Sequence, residues 1–582
     1  MILIGLLLLL LGAAACIGLT HYVPTRWLGV AAAVLLLGVA MLLLVQPAAD
    51  TTTALDMMAD LLSVRLDPER RGLAILMLLG SSAALSVLAL ALSPSLRGFG
   101  LLFGWALLTL AAALLGLAGE GLRLPFAWGL TAILAGSTLR ATGTTGSAER
   151  MPVGTTAGII ASVLLLGYLL LLPATAPQAA VQRVLLLLLL VAATVLFMGS
   201  APFLYTRSAL VAAPAALVGM LGGVVAPLLA LGTLNHLIGN LRLIALAPEL
   251  PLAWRMVLIS AGILALLGGA AGVASEYLLK RAVLWLMVAQ TGLVLLALGL
   301  THPLGSLTVL ALLINLVLTT LVATLAAALV EQQTGSEDIT RVQPDPPYLR
   351  GDLRLAGVLW FVAVASIIGV PGLWGFWGRA WLFTIMTAQV AWAVPLVLFS
   401  GVLVALAGFV PLIRMFAVSP AAPAPTGQDW TIPLVPVLLA LLPLPVLGLF
   451  PDLLWQIWLA GLPAMPVQLP ISTLAQIASG VGVLALGLIL LHLWQPLVTR
   501  QIVPDSDMPP AILTPDLLPR QLVPLAGLAS PHAFANLLWL LMQRLGQAAR
   551  QMMRLFEGRY YLVGITFALL SILLLMAQGG AP

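Results

Sequence analysis

The apolar positions of this chain form neither a one-in-two alternation nor a stripe along one helical face. They come in long unbroken runs, at residues 1–19, 27–46, 72–93, 98–119, 124–140, 152–173, 183–201, 208–238, 253–274, 282–300, 304–330, 355–386, 391–418, 431–451, 471–494 and 560–577. About 20 apolar residues are enough to cross a bilayer as a helix. A segment crossing alone must satisfy its own backbone polar groups, which selects helix over strand. The pattern predicts an all-α polytopic membrane protein with about 14–16 transmembrane helices.

Composition fixes the same class. Hydrophobic residues are 62% of the 582 positions and charged residues 8%, against about 25% charged in soluble domains. The first run has no basic start and no clear small-residue cleavage site, and reads as a retained helix rather than a signal peptide. With that helix starting outside, loops after odd-numbered runs hold seventeen Lys and Arg and loops after even-numbered runs hold seven. That excess places the odd loops in the cytoplasm and the N-terminus outside, as expected of a bacterial cytoplasmic (inner) membrane protein. The remaining basic residue, Arg379, lies within an apolar run. The net charge of +5 is carried mostly by loops, so lipids are expected around the chain and nucleic acid is not a partner. Cys16 is the single cysteine, which excludes a disulfide within the chain, a cysteine-held iron–sulfur cluster and a cysteine zinc site. No metal site and no cofactor of the chain's own are expected.

Two runs carry helix breakers. Residues 208–238 contain Pro214, Gly222, Gly223 and Pro227, and residues 355–386 contain Pro371 and Gly375 within a Gly369–Phe383 stretch reading GVPGLWGFWGRAWLF. Proline removes a helical hydrogen bond and clashes with the preceding turn. Paired interrupted segments in two halves of a membrane protein point to inverted repeats with a polar path at the breaks. The alternative is simple kinking for packing. The implied organisation is 1–97 as N-terminal helices, 98–240 and 253–418 as two inverted five-helix repeats, 431–494 as C-terminal helices, and 495–582 as a tail. In the tail, residues 504–531 are proline-rich, 532–557 form a short amphipathic helix with Arg544, Arg550 and Arg554, and 560–577 form a final anchor helix.

Three stretches carry a family resemblance. Ser275–Gly292 (SEYLLKRAVLWLMVAQTG), Ser366–Phe383 (SIIGVPGLWGFWGRAWLF), and the pairs Pro202-Phe203 and Ala213-Pro214 resemble segments of the antiporter-like subunits of respiratory complex I. Relatives of those subunits occur in multisubunit cation/proton antiporters, membrane-bound hydrogenases and a bicarbonate-uptake system. The resemblance implies the broken-helix fold, other membrane-arm subunits as partners, and electron chemistry confined to partner subunits carrying iron–sulfur clusters and flavin. It also implies a proton path built on a buried Glu–Lys pair and a lysine relay. Here the chain departs from the family. Trp128 or Gly129 stands near the glutamate position, Phe197 at the first lysine, Pro227 at the next basic position, Thr319 at the central lysine and Asn315 where a histidine is frequent. Only Arg379 retains a charge, and arginine hardly releases its proton. Independently of the family, residues 152–240 contain no acidic residue.

The proton-path candidates are therefore Arg379, Lys280, Glu276, Asn315, Thr319 and His236, each weighed against a structural role. Arg379 reads as a fixed cation at membrane depth or as an arginine capping carbonyls. Glu276 and Lys280 are four apart, which suits a local ion pair. Histidine is a residue type that can titrate near neutrality, but His236 and His302 lie near helix ends, where capping is common, and His492 lies in an apolar run. Glu120 and Arg123 could pair across a short loop. No catalytic motif is present. The reading is a non-catalytic, antiporter-like membrane-arm subunit of a complex I-like NADH (or other donor):quinone oxidoreductase. Such a subunit contributes to proton translocation or, with its lysines lost, mainly to structure and coupling. The alternative is a component of a gradient-driven cation/proton antiporter or bicarbonate-uptake system.

Overall fold

A computed structural model describes residues 2–45, 67–91, 99–143, 145–171, 180–200, 208–244, 252–274, 276, 278–300, 302, 304–334, 350–416, 434–453 and 479–489. All of these belong to the first of two units, 1–529 and 530–582. The expectations for the Pro202-Phe203 pair, most of the 331–354 linker, His492, the proline-rich segment, the amphipathic helix and the last span lie outside them.

The described elements are helical. They are α1 (Ile2–Gly18), α2 (Thr25–Val45), α3 (Pro68–Ala91), α4 (Gly100–Ala118), α5 (Arg123–Arg140), α6 (Thr145–Leu171), α7 (Ala180–Met198) and α8 (Ser208–Val211). Then comes α9, a composite of Ala215–Leu217, a π-helical Val218–Val225 and Ala226–Ile244. It is followed by α10 (Leu252–Ala274), α11 (Leu279–Gly299), α12 (Gly305–Thr334), α13 (Arg350–Ile368), α14 (Trp374–Gln389), α15 (Val394–Phe416), α16 (Leu434–Leu441), α17 (Pro443–Leu449) and α18 (Ser479–Ile489). Among the described residues, eight helices are long and apolar enough to cross a membrane, and six shorter apolar helices accompany them. The chain is an all-α polytopic membrane protein.

The centre is α12. Its membrane window is 100% buried, as expected of a helix apolar on every side. It packs against α3, α9, α11, α13, α14, α16 and α17. The outer wall includes α6, whose window is only 28% buried. Small residues set the closest approaches, as membrane helices require. Between α10 and α11, a Cβ at Gly262 would lie 2.8 Å from the Gly292 carbonyl oxygen.

Two helices end in the same way. At the end of α7, Gly199 has φ +56. Its N–H donates to Leu196 O at 3.0 Å, and the Ser200 N–H donates to Val195 O at 3.0 Å. At the end of α13, Gly369 has φ +87. Its N–H reaches Ser366 O at 3.1 Å, and the Val370 N–H reaches Ala365 O at 3.0 Å. Both are Schellman closures, which need a residue at positive φ. After α13 the chain passes Pro371 and a second positive-φ glycine, Gly372 (φ +87), before α14 resumes. Pro371 therefore marks a true break, while Gly375 lies in the first turn of α14.

In the first half the breakers sort differently. Pro214 is extended (φ −53, ψ 140) and starts the first segment of α9, so it too marks a break. Pro227 does not. It sits at the second position of the Ala226–Ile244 segment, and α9 runs straight through it. The eight π-helical residues before it use longer-range bonding, which accommodates the missing proline N–H without a break.

Candidate functional site

A chain of neutral polar groups crosses the buried centre. Gln290 comes from α11, Asn315 and Thr319 from α12, Ser366 from α13 and Gly375 from the first turn of α14. The Gly375 N–H donates to Ser366 Oγ at 3.1 Å. The Ser366 hydroxyl donates to Asn315 Oδ1 at 2.8 Å. Asn315 Nδ2 donates to Gln290 Oε1 at 3.2 Å, and Gln290 Nε2 donates to Thr319 Oγ1 at 2.9 Å. The Thr319 hydroxyl has its shortest acceptor in Asn315 O, at 2.6 Å. Every donor points the same way round, and the series ends on a backbone carbonyl. Buried polar groups need such satisfaction. None of these side chains titrates near neutrality, so the chain offers no resting place for a proton. Close approach is built in. A Cβ on Gly375 would fall on the Ser366 carbonyl oxygen and lie 3.0 Å from Asn315 Oδ1.

One turn further along α14 stands Arg379, 5% exposed. Its Nη1 donates to the Ile368 carbonyl oxygen at the end of α13. The Schellman closure leaves that carbonyl without a helical partner, and a cation is favoured at a helix C-terminus. Gly401 of α15 makes room for the guanidinium: a Cβ there would lie 3.3 Å from Nη1. Nε has no hydrogen-bond partner among the described residues. It adjoins a cavity of about 10 Å³ lined by Phe376, Phe383 and Ser479, about the room one water needs. Gly375 and Arg379 thus staple α14 to α13 across the break.

A second centre lies at the other break. Lys280 Nζ is 3.2 Å from Glu331 Oε1 and donates to Ala213 O at 3.0 Å. Glu331 Oε2 accepts the Ala215 N–H at 3.3 Å. The pair clamps the backbone on both sides of Pro214 to the end of α12. Glu276 Oε1 is 3.9 Å from Arg281 Nη1. Sequence spacing suggested Glu276 as the Lys280 partner; the fold adds Glu331, 51 residues away, which no spacing rule could find.

Between the two ends, Trp128 of α5 and Phe197 of α7 touch, with ring centroids 4.5 Å apart. The resemblance implies a Glu–Lys pair here, with the glutamate near Trp128 or Gly129 and the lysine at Phe197. Trp128 is fully buried, and its Nε1 has no partner among the described residues.

His236 belongs to neither centre. It lies near the far end of α9, with Nδ1 4.0 Å from Asp67 Oδ2. Arg70 of α3 joins it, 3.9 Å from Asp67 and 3.8 Å from Glu120, so Glu120 meets an arginine outside its own loop. His302 accepts the Leu304 N–H at 3.1 Å, a capping role. Among the described residues no group of three or more His, Cys, Asp or Glu could hold a metal ion.

No family model and no curated protein matches the sequence. Solved structures do. A chain of the Mrp complex from Dietzia sp. DQ12-45-1b is similar at TM-score 0.66 and 20% identity, over 94% of this chain and 63% of that one. The chain thus spans about 63% of the length of that Mrp chain. A chain of respiratory complex I from Thermus thermophilus gives TM-score 0.59 at 21% identity, over 78% and 98% of the two chains. A chain of the membrane-bound sulfane sulfur reductase, an archaeal respiratory membrane complex, gives 0.63 at 18%, over 83% and 99%. The resemblance drawn from Ser275–Gly292 and Ser366–Phe383 is borne out in the fold.

Proposed function

We propose that this chain is a membrane-arm subunit of a complex I-like, multisubunit membrane complex, in which it transmits structure and coupling rather than relaying protons. The observation that carries this reading is the closed series Gly375–Ser366–Asn315–Gln290–Thr319. A relay needs groups that take up and release protons, and buried ionisable groups are costly enough to be kept only for such work. Here neutral groups satisfy one another instead. The Trp128–Phe197 contact supports the same reading for the first half. The matched Schellman ends at Gly199 and Gly369, each upstream of a proline break (Pro214 and Pro371), support two repeats. Partner subunits would carry the flavin, iron–sulfur clusters and quinone site, in a bacterial inner membrane with the N-terminus outside.

Affinity purification of the tagged full chain in mild detergent, followed by mass spectrometry, tests the placement. Co-purifying iron–sulfur and quinone-site proteins are expected. Recovery with antiporter subunits alone, with a soluble carbon-hydrating partner, or with nothing would sink it. Replacing Arg379 with alanine tests for a proton path in this chain: an unchanged proton-to-electron ratio in the assembled complex is expected, and a reduced one would restore a working half-channel around Arg379, Asn315 and Thr319. The second reading, a gradient-driven cation/proton antiporter or bicarbonate-uptake component, is favoured by one finding: the Mrp likeness extends over 94% of this chain.

A further inference from the structure

A polar cavity of about 380 Å³ opens where α3 begins, α4 passes into α5, α6 ends and α9 nears its close. Its volume lies in the roughly 300–1,000 Å³ range of small-molecule sites. Five helix ends meeting at one level place it at the depth of lipid headgroups, because short loops alternate between the two membrane faces. One wall is Leu169 of the lipid-facing α6. The floor is apolar, from Leu117, Leu124 and Leu237, while Asp67, Arg70, Glu120 and His236 form the polar wall. An apolar floor beside lipid with a charged wall at headgroup depth suits an amphiphile.

The charges narrow the choice. Arg70 is 6% exposed, yet its carboxylate neighbours stand at 3.8 and 3.9 Å, beyond hydrogen-bond distance. Among the described residues, its one bond shorter than these is to Gly119 O at 3.4 Å. The guanidinium is held in place with donor capacity to spare, and it suits a two-point bond to phosphate oxygens. Asp67 and Glu120 stand on either side of it with their carboxylates largely exposed. They suit an ammonium and disfavour a second anion. We propose that this cavity binds the headgroup of a zwitterionic phospholipid with a primary ammonium, of the phosphatidylethanolamine type. The phosphate sits on Arg70 and the ammonium between Asp67 and Glu120. The site is independent of the coupling reading above.

Native mass spectrometry of the delipidated full chain tests it, titrated in turn with phosphatidylethanolamine, phosphatidylglycerol, soluble glycerophosphoethanolamine and inorganic phosphate. The expected result is one ethanolamine lipid bound about tenfold more tightly than the glycerol lipid. The double variant Asp67→Asn, Glu120→Gln should lose that preference. Both carboxylates are exposed, so the fold tolerates the change, and an unaltered melting temperature confirms it. Displacement of the lipid by glycerophosphoethanolamine would support headgroup recognition. Equal affinity for the two lipids, a preference that survives in the double variant, or inorganic phosphate binding as tightly as either lipid would overturn the proposal.

Discussion

Replacing Asn315 with leucine removes the middle of the central polar series while keeping the number and branching of side-chain heavy atoms. Asn315 accepts from Ser366 at 2.8 Å and donates to Gln290 at 3.2 Å. The Ser366 hydroxyl can turn to a carbonyl four residues back on its own helix, as serine commonly does. Gln290 Oε1 is left with the Thr319 hydroxyl alone, 3.2 Å away, whose single proton must leave Asn315 O, 2.6 Å away, to serve it, so one acceptor goes short. One stranded buried acceptor costs about 1–3 kcal/mol and one lost net hydrogen bond about 0.5–1.5 kcal/mol. The expected destabilisation is therefore about 2–4 kcal/mol. Thr308→Val is the control. Its hydroxyl donates to Leu304 O at 2.8 Å, but that carbonyl also accepts the Thr308 N–H at 2.9 Å, so the loss should stay below about 1 kcal/mol. Denaturant unfolding of both variants in mild detergent gives the comparison. Equal losses, or a leucine variant as stable as the parent, would refute the account of a mutually satisfied network. Proton translocation by the assembled complex should not change, since nothing that titrates has been removed.

Glu331→Gln should destabilise by about 1–3 kcal/mol, because it removes the carboxylate charge 3.2 Å from the buried Lys280 ammonium; Lys280→Met combined with Glu331→Gln should recover part of that loss. Gly199→Ala and Gly369→Ala should each cost at least about 1–2 kcal/mol, since both glycines sit at positive φ in the same closure, with more at Gly369, where a Cβ would lie 2.8 Å from Arg379 Cδ; a negligible cost at either in unfolding experiments would count against a matched pair of closures. Trp128→Phe should cost under about 1.5 kcal/mol while Trp128→Ala costs about 3–5 kcal/mol, because the indole N–H has no partner to lose and the ring volume is what Phe197 packs against. A large loss in the phenylalanine variant would reveal a hydrogen bond hidden at that site.

Much of the fold could be read from the runs alone, because bilayer thickness fixes how long an apolar stretch must be. The second break was legible too. Gly369, Pro371 and Gly372 stand together, and each contributes a backbone property visible in its side chain. The first break was half legible. Pro214 declared itself, but the glycine that closes α7, Gly199, was passed over, although a glycine at the end of an apolar run is a C-cap signal. Pro227 misled because the register shift that absorbs it lies in Val218–Val225, where nothing but three glycines marks a π-helix. Asn315 and Thr319 were marked by the family resemblance, at the places of its frequent histidine and its central lysine. Gln290, Ser366 and Glu331 could not be joined to them or to Lys280, because hydrogen bonding across four helices leaves no periodicity in any one of them.

The placement of charge follows one rule throughout the described residues. Asp67, Arg70, Glu120 and His236 gather at one end of the helices, and Lys280 and Glu331 at the other, where α9 begins. Water or headgroups can share the cost of solvation at both ends. Membrane depth between them is held by amides, hydroxyls and aromatic rings, which need only hydrogen-bond partners or packing. Arg379 is the exception, and its surroundings explain how it survives there. It lies against the negative end of α13, bonded to a carbonyl that the helix itself cannot satisfy, with glycine at position 401 leaving it space. A lysine there could shed its proton in so dry a place, whereas arginine keeps its charge and its bond. Position 379 is therefore suited to holding α14 onto α13 under all conditions. That permanence is what a coupling element requires and what a proton relay cannot use.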